Sequence, residues 1–264
     1  MKKELKREIK ELEETKKKIE STMKSPPKGR ISCNTTHGIY QYFLDGKYIS
    51  KKNLAQIASI YQHQYYSLLL PKINTRLTKL KSLLSNYENN SLDSVYNQVC
   101  LGKKQLLSNS IYKSMDQKIN SFLSRGASIE DNDFKEKYPI ETDIYTNQGE
   151  HVRSKSEKII ADELFRLGIP YIYEAPLNLA DKTNIITLHP DFTAMNKSSG
   201  KIYYIEHFGK MDDKEYISGA INKLDLYERN GILLGKNLII LHETKEFPLN
   251  VKVLQNYIEE FLVD

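Results

Sequence analysis

Leu188-His189-Pro190-Asp191-Phe192-Thr193-Ala194-Met195-Asn196-Lys197-Ser198-Ser199-Gly200-Lys201-Ile202-Tyr203-Tyr204-Ile205-Glu206-His207-Phe208-Gly209 carries two β-branched and aromatic runs around a polar loop that contains glycine. That is the pattern of a β-hairpin. A loop at 197–200 pairs Asn196 with Lys201 and Met195 with Ile202, and the same register sets Asp191 directly opposite Glu206. Side chains facing each other across an antiparallel pair have Cβ atoms roughly 4.5–5.5 Å apart, and like charges there repel. The plainer reading makes Asp191 a strand-entry residue after Pro190 and Glu206 a solvated strand residue. The neighbours weigh against it: Tyr203-Tyr204-Ile205 and Phe208 make the second strand apolar on both faces, hence central and covered. A carboxylate in such a strand is costly unless it is paired or liganded. Something positive is therefore expected between the two acids, and a divalent cation such as Mg²⁺ or Mn²⁺ is the simplest choice.

Around the hairpin the second half of the chain alternates α and β patterns. Val152 to Leu167 reads as a helix that stops at Gly168, with Pro170 just beyond. Pro170 to Leu179 reads as a strand that precedes the hairpin. Asp212 to Asn230 reads as a helix, Lys236 to His242 as a buried strand and Val251 to Val263 as a closing helix. The expected order is helix, three strands, helix, strand, helix, in an α+β fold with a mixed central sheet.

Three further residues border the proposed acidic pair. Ser154-Lys155-Ser156-Glu157 fits a capping box, in which Glu157 caps its own helix. Glu157 is also in line with Ile160, Ala161, Leu164 and Phe165, an apolar stripe that faces the sheet; both readings stand open. On the later helix Lys223 and Tyr227 are four apart and share a face, beside a core stripe of Ile217, Ala220, Ile221 and Leu224. Lys223 is either a lysine that reaches solvent from a helix edge or one that holds its ammonium at a site. Strand alternation points the His207 side chain away from Glu206.

Glu157 on a first helix, Pro190-Asp191, a hairpin and then Glu206-His207-Phe208 resemble the PD-(D/E)XK nuclease superfamily over about residues 150–245. The resemblance implies a restriction-endonuclease-like αβββαβ core. It also implies Mg²⁺ or Mn²⁺ bound by Asp191 and Glu206 with a backbone carbonyl near His207, and a supporting role for Glu157. One departure stands out: the family's lysine lies two residues after the strand acid, and here that position is Phe208. Lys223 with Tyr227 is similar to the Gln-x-x-x-Tyr element of the helicase–nuclease branch, with Lys in place of Gln. The implied activity is hydrolysis of phosphodiesters in nucleic acid, DNA before RNA. The alternative is a catalytically inactive nuclease fold that binds nucleic acid or serves assembly through a basic helical arm.

That arm is the N-terminal region. Leu5, Ile9, Leu12, Ile19 and Met23 follow 4-3 spacing with Lys16 in the polar slot, and Ile73, Leu77, Leu80, Leu84 and Tyr87 repeat it. The two seams are expected to zip antiparallel within the chain, with a homodimer as the other arrangement. Between them, Ile39 to Leu44, Asp45-Gly46 and Lys47 to Ser50 read as a short hairpin. Leu92 to Arg125 reads as further helix. The expected division is a helical region at 1–131, a linker at 132–149 and the nuclease-like domain at 150–264. Residues 1–30 hold eleven Lys/Arg against six Asp/Glu, an excess equal to the whole chain's +5. No run approaches the roughly 20 apolar residues of a membrane span. Two cysteines far apart, and a charged start without a signal-peptide core, point to a reducing, cytoplasmic setting.

Overall fold

A computed structural model describes residues 2–23, 28–107, 111–128 and 132–263. The chain falls into two compact units, Met1–Ser94 and Val95–Asp264.

In the first unit, helix α1 (Lys2–Thr22) is followed by a three-stranded antiparallel meander. Its strands are β1 (Ile31–Thr36), β2 (Ile39–Leu44) and β3 (Lys47–Ile49), and helix α2 (Leu54–Asn89) follows them. Asp45 and Gly46 both adopt left-handed backbone, with φ of 48° and 81°. That double left-handed turn matches the twist of a two-residue hairpin, as Asp-Gly predicts. The partner strand β1 is polar, and its turn at His37-Gly38 has the same geometry, with φ of 49° and 76°. Without an apolar alternation, β1 left no periodic trace in the sequence.

The two seams meet within the chain. Ile9, Ile19, Ile73 and Leu77 form one buried cluster, with Leu12, Met23, Leu80 and Leu84 against it. Lys2 pairs with Glu88 and Lys81 with Glu13, so the helices run antiparallel. Tyr87, expected in the seam, is 51% exposed. The stop expected at Ser25-Pro26-Pro27 lies outside the described residues.

A short helix α3 (Asp93–Asn97) spans the unit boundary, and α4 (Leu101–Lys104), α5 (Met115–Ser128) and α6 (Asn132–Lys137) follow in the second unit. The single helix expected from Leu92 to Arg125 is therefore broken. The unit boundary also falls well before 131/132, because α5 belongs to the sheet unit. Gly126 lies so close to Ile172 that a Cβ there would meet its side chain at 2.6 Å. Part of the stretch expected as a linker is likewise structured, as α6.

The sheet follows: α7 (Lys155–Arg166), β4 (Tyr171–Tyr173), β5 (Leu177–Asp181), β6 (Asn184–Leu188), β7 (Phe192–Met195), β8 (Ile202–Phe208), α8 (Lys214–Arg229), β9 (Leu238–His242) and α9 (Val251–Ile258). The main sheet has the order β4-β7-β8-β9. Its first three strands are antiparallel, while β9 joins β8 in parallel through the α8 crossover, so the sheet is mixed. One face packs against α7 and α9: Ile160, Leu164, Phe192, Ile205, Ile239, Leu241 and Leu254 form one core. The other packs against α8: Leu238, Tyr227, Tyr204, Leu224 and Ile240 form a second.

An additional antiparallel hairpin, β5–β6, is inserted between β4 and β7. It was not expected, since Pro170 to Leu179 read as one strand. Leu179 joins the α8 core, and the Asn230 side chain bonds both the N–H (2.8 Å) and the C=O (2.9 Å) of Ala180. The insert thus clamps the end of α8 and fixes where its side chains meet the sheet.

Candidate active site

The hairpin has the expected register. Met195 pairs with Ile202 and Phe192 with Ile205, and Asn196 N–H bonds Lys201 O at 2.8 Å. One more step along it sets Asp191 opposite Glu206. Both acids belong to the face that α8 covers. Asp191 Oδ2 accepts the backbone N–H of His207 at 2.6 Å, which fixes its carboxylate against β8. Its backbone C=O accepts the N–H of Glu174 at 3.1 Å, tying it to the end of β4. Glu174 has left-handed backbone, φ 47°, where the chain leaves that strand.

Glu206 is 1% exposed, and both of its oxygens are engaged from α8. Lys223 Nζ lies 2.7 Å from Oε2, and the Tyr227 hydroxyl donates to Oε1 at 2.5 Å. Asp213 starts α8 as its N-cap, accepting the N–H groups of Glu215 and Tyr216. Spacing of four then aims Lys223 and Tyr227 at one point. The expected stripe on this helix is turned: Ala220 and Tyr227 are buried, whereas Ile221 is 58% exposed. A carboxylate inside the sheet draws the polar ends of Lys223 and Tyr227 inward, and the helix rotates with them. Tyr227 holds Glu206 directly.

The electrostatics follow from enclosure. Burial first, and then the facing Glu206 charge, push the Asp191 carboxyl well above its ordinary range, against the pull of Lys223 and the His207 N–H. Burial raises Glu206 as well, with Lys223 and Tyr227 opposing. Burial and the adjoining Glu206 push the Tyr227 phenol far up, so it remains a donor.

Phe208 is 4% exposed and stands edge-on to Tyr216, ring centroids 6.4 Å apart. It is packing, and the ammonium near Glu206 comes from Lys223 on α8.

Glu157 sits at the start of α7, on the opposite face of the sheet. Its N–H bonds Ser154 Oγ at 3.1 Å, its Oε1 accepts that hydroxyl at 3.0 Å, and its Oε2 accepts the Arg153 N–H at 2.8 Å and the Tyr173 hydroxyl at 2.7 Å. The capping geometry is present, and it accounts for the carboxylate. Glu157 still contributes a minor upward push on Asp191. The His207 side chain also lies on that face, with Nε2 3.6 Å from Glu243 Oε1. Ser156 Oγ donates to Glu243 at 3.0 Å. His207 offers the acidic pair only its backbone.

Two contributors went unnoticed in the sequence, Arg153 and Tyr173. Arg153 forks onto both oxygens of Glu174, and Tyr173 reaches Glu157 from β4. The alternation Tyr171-Ile172-Tyr173 was the one available signal, and it says nothing of a partner. A cleft of about 670 Å³ opens beside them, lined among others by Phe134, Tyr138, Arg153, Tyr173 and Glu174. No family model matches the chain, and neither does a curated protein or a solved structure.

No described helix is long and apolar enough to cross a membrane. Among the described residues, no three His, Cys, Asp or Glu side chains gather as a ready metal cluster. The donor chemistry that exists is two carboxylates, Asp191 and Glu206, with one ammonium. Hard oxygen donors of this kind suit Mg²⁺ or Mn²⁺, and the facing Glu206 charge adds to burial in raising Asp191. The pair fits a divalent ion on condition that Lys223 yields Glu206.

Proposed function

We propose that the second unit is a metal-dependent nuclease with a PD-(D/E)XK-like, restriction-endonuclease-like core, which hydrolyses phosphodiester bonds in nucleic acid, DNA in preference to RNA. The observation that carries this reading is the register of β7 and β8: it sets Asp191 against Glu206 at the mouth of a mixed sheet, with a lysine delivered to the same point from α8.

Asp191 and Glu206 would hold Mg²⁺ or Mn²⁺, together with a backbone carbonyl near His207. The ion would lower the pKa of a bound water and offset charge on the scissile phosphate. The chain's own residues supply the rest. His207 N–H and Tyr227 fix the two carboxylates before substrate arrives, a form of preorganisation. The Lys223 ammonium can neutralise a phosphate oxygen. Glu157, spent on the α7 cap and on Tyr173, braces the α7 end of the site. The cleft lined by Arg153, Tyr173 and Glu174 lies at the strand end to which the Asp191 backbone is tied, and a polynucleotide could approach there.

The test is incubation of the protein with plasmid, linear duplex, single-stranded DNA and RNA, with Mg²⁺ or Mn²⁺ and with chelator. Cleavage in metal alone is expected, and Asp191→Ala or Glu206→Ala should abolish it while circular dichroism stays unchanged. Either variant cutting as fast as the parent overturns the assignment. A second reading draws on the saturation of Glu206 and on Phe208: an inactive nuclease fold that binds nucleic acid through the basic arm. Its affinity would survive EDTA and fall steeply with salt.

A further inference from the structure

The acidic pair already has a cation, and that cation belongs to the protein. Lys223 Nζ is 2.7 Å from Glu206 Oε2, and its charge also acts on Asp191. Asp191 is held at Oδ2 by His207, and among the described residues its Oδ1 accepts no hydrogen bond. Tyr227 is fully buried and packed among Leu179, Ile232 and Leu238, so its hydroxyl cannot leave Oε1 without disturbing that core. Lys223 differs in one respect: its side chain is 25% exposed, against 2% for Glu206. An ammonium on a four-carbon stem can retreat toward solvent while the stem stays put. Of the two donors on Glu206, one is fixed and the other can be released.

We infer that Lys223 is the resident counter-cation of the Asp191–Glu206 pair, that a divalent ion enters by displacing its ammonium from Glu206 Oε2 while Tyr227 keeps Oε1, and that the released ammonium is what meets the substrate phosphate. Metal loading and lysine delivery are then a single event, and the protein without metal is held closed by its own ion pair. This inference rests on the metal-dependent reading of the same two acids.

Two measurements on the full chain without nucleic acid test it. The first is Mn²⁺ titration calorimetry of the parent, Lys223→Met, Lys223→Arg and Asp191→Asn, with circular dichroism as the check of folding. Removing a positive charge that competes for the site should tighten Mn²⁺ binding by Lys223→Met at least roughly tenfold, with Lys223→Arg close to the parent. A merely structural lysine would give equal or weaker binding in Lys223→Met, and that result overturns the inference. The second is a structure of the parent soaked with Mn²⁺. It should show Nζ beyond hydrogen-bonding distance of Oε2, with Tyr227 still on Oε1. A metal-bound structure with the Lys223–Glu206 contact intact overturns the inference even if Lys223→Met fails to fold. Failure of the parent to bind Mn²⁺ defeats this inference and the nuclease reading together. Binding that Asp191→Asn abolishes, but Lys223→Met does not tighten, defeats this one alone.

Discussion

The helical hairpin and the sheet unit both carry ion pairs, in opposite surroundings. Along α1 and α2, Glu8 with Arg76, Glu13 with Lys81 and Lys2 with Glu88 lie on the rim of an apolar seam, with side chains 35% to 66% exposed. In the sheet, Glu206 is shut away at 2% exposure and its lysine at 25%. Rim pairs sit in water, which screens them, and their removal changes little. An enclosed carboxylate has lost its hydration and depends on the groups that replaced it. Charge alone therefore carries no functional message; a charge placed where it must be compensated does.

The sharpest way to break this contrast is Lys223→Met. Leaving Glu206 without its ammonium should cost about 3 kcal/mol of stability, less where the carboxyl escapes by taking a proton, as read by urea unfolding. Tyr227→Phe removes one hydrogen bond to a buried charge and should cost about 2 kcal/mol; a loss below half of that would mean Oε1 does not need the phenol. Smaller still is the effect of pH. Asp191 and Glu206 have folded pKa values above their ordinary values of 3.8 and 4.5. Between those values and the raised ones the folded protein keeps protons that the unfolded chain has released. Stability of the metal-free protein should thus fall as pH rises through that window. Asp191→Asn should flatten the fall and stabilise the protein by about 1 kcal/mol at pH 8, a Tm series against pH being the check. Smallest of all, Arg76→Ala on the hairpin rim should cost under about 1 kcal/mol, and added NaCl should shrink it further. A loss as large as that of Tyr227→Phe would erase the contrast.

Several parts of this molecule could be read before any coordinates. Ile9 to Met23 and Ile73 to Leu84 are seams because apolar residues at 4-3 spacing leave a helix one stripe to bury. Asp45-Gly46 is a turn because both positions need left-handed backbone. Gly168, with φ of 65°, ends α7 for a related reason. The site's central pair was legible through register: once the loop at 197–200 is counted, alternation leaves no freedom about what faces Asp191. What was missed lacked such a constraint. β1 is polar, and the Leu177-Asn178-Leu179 alternation of β5 was absorbed into the single strand read from Pro170 to Leu179. After Leu92 the apolar residues Val95, Tyr96 and Val99 keep helical spacing, so the pattern does not mark where the short helices break.

Local spacing determined the elements, the hairpin register and the common face of Lys223 and Tyr227. Tertiary structure alone decided how α8 is rotated, that Phe208 is packing, that Glu157 is consumed by its cap and by Tyr173, and that Lys223 rests on Glu206. The physical reason is range: hydrogen-bond geometry and side-chain alternation act between near neighbours in sequence. Burial of a charge is set by everything that closes over it, and here that includes a hairpin clamp and a helix drawn from well apart in the chain.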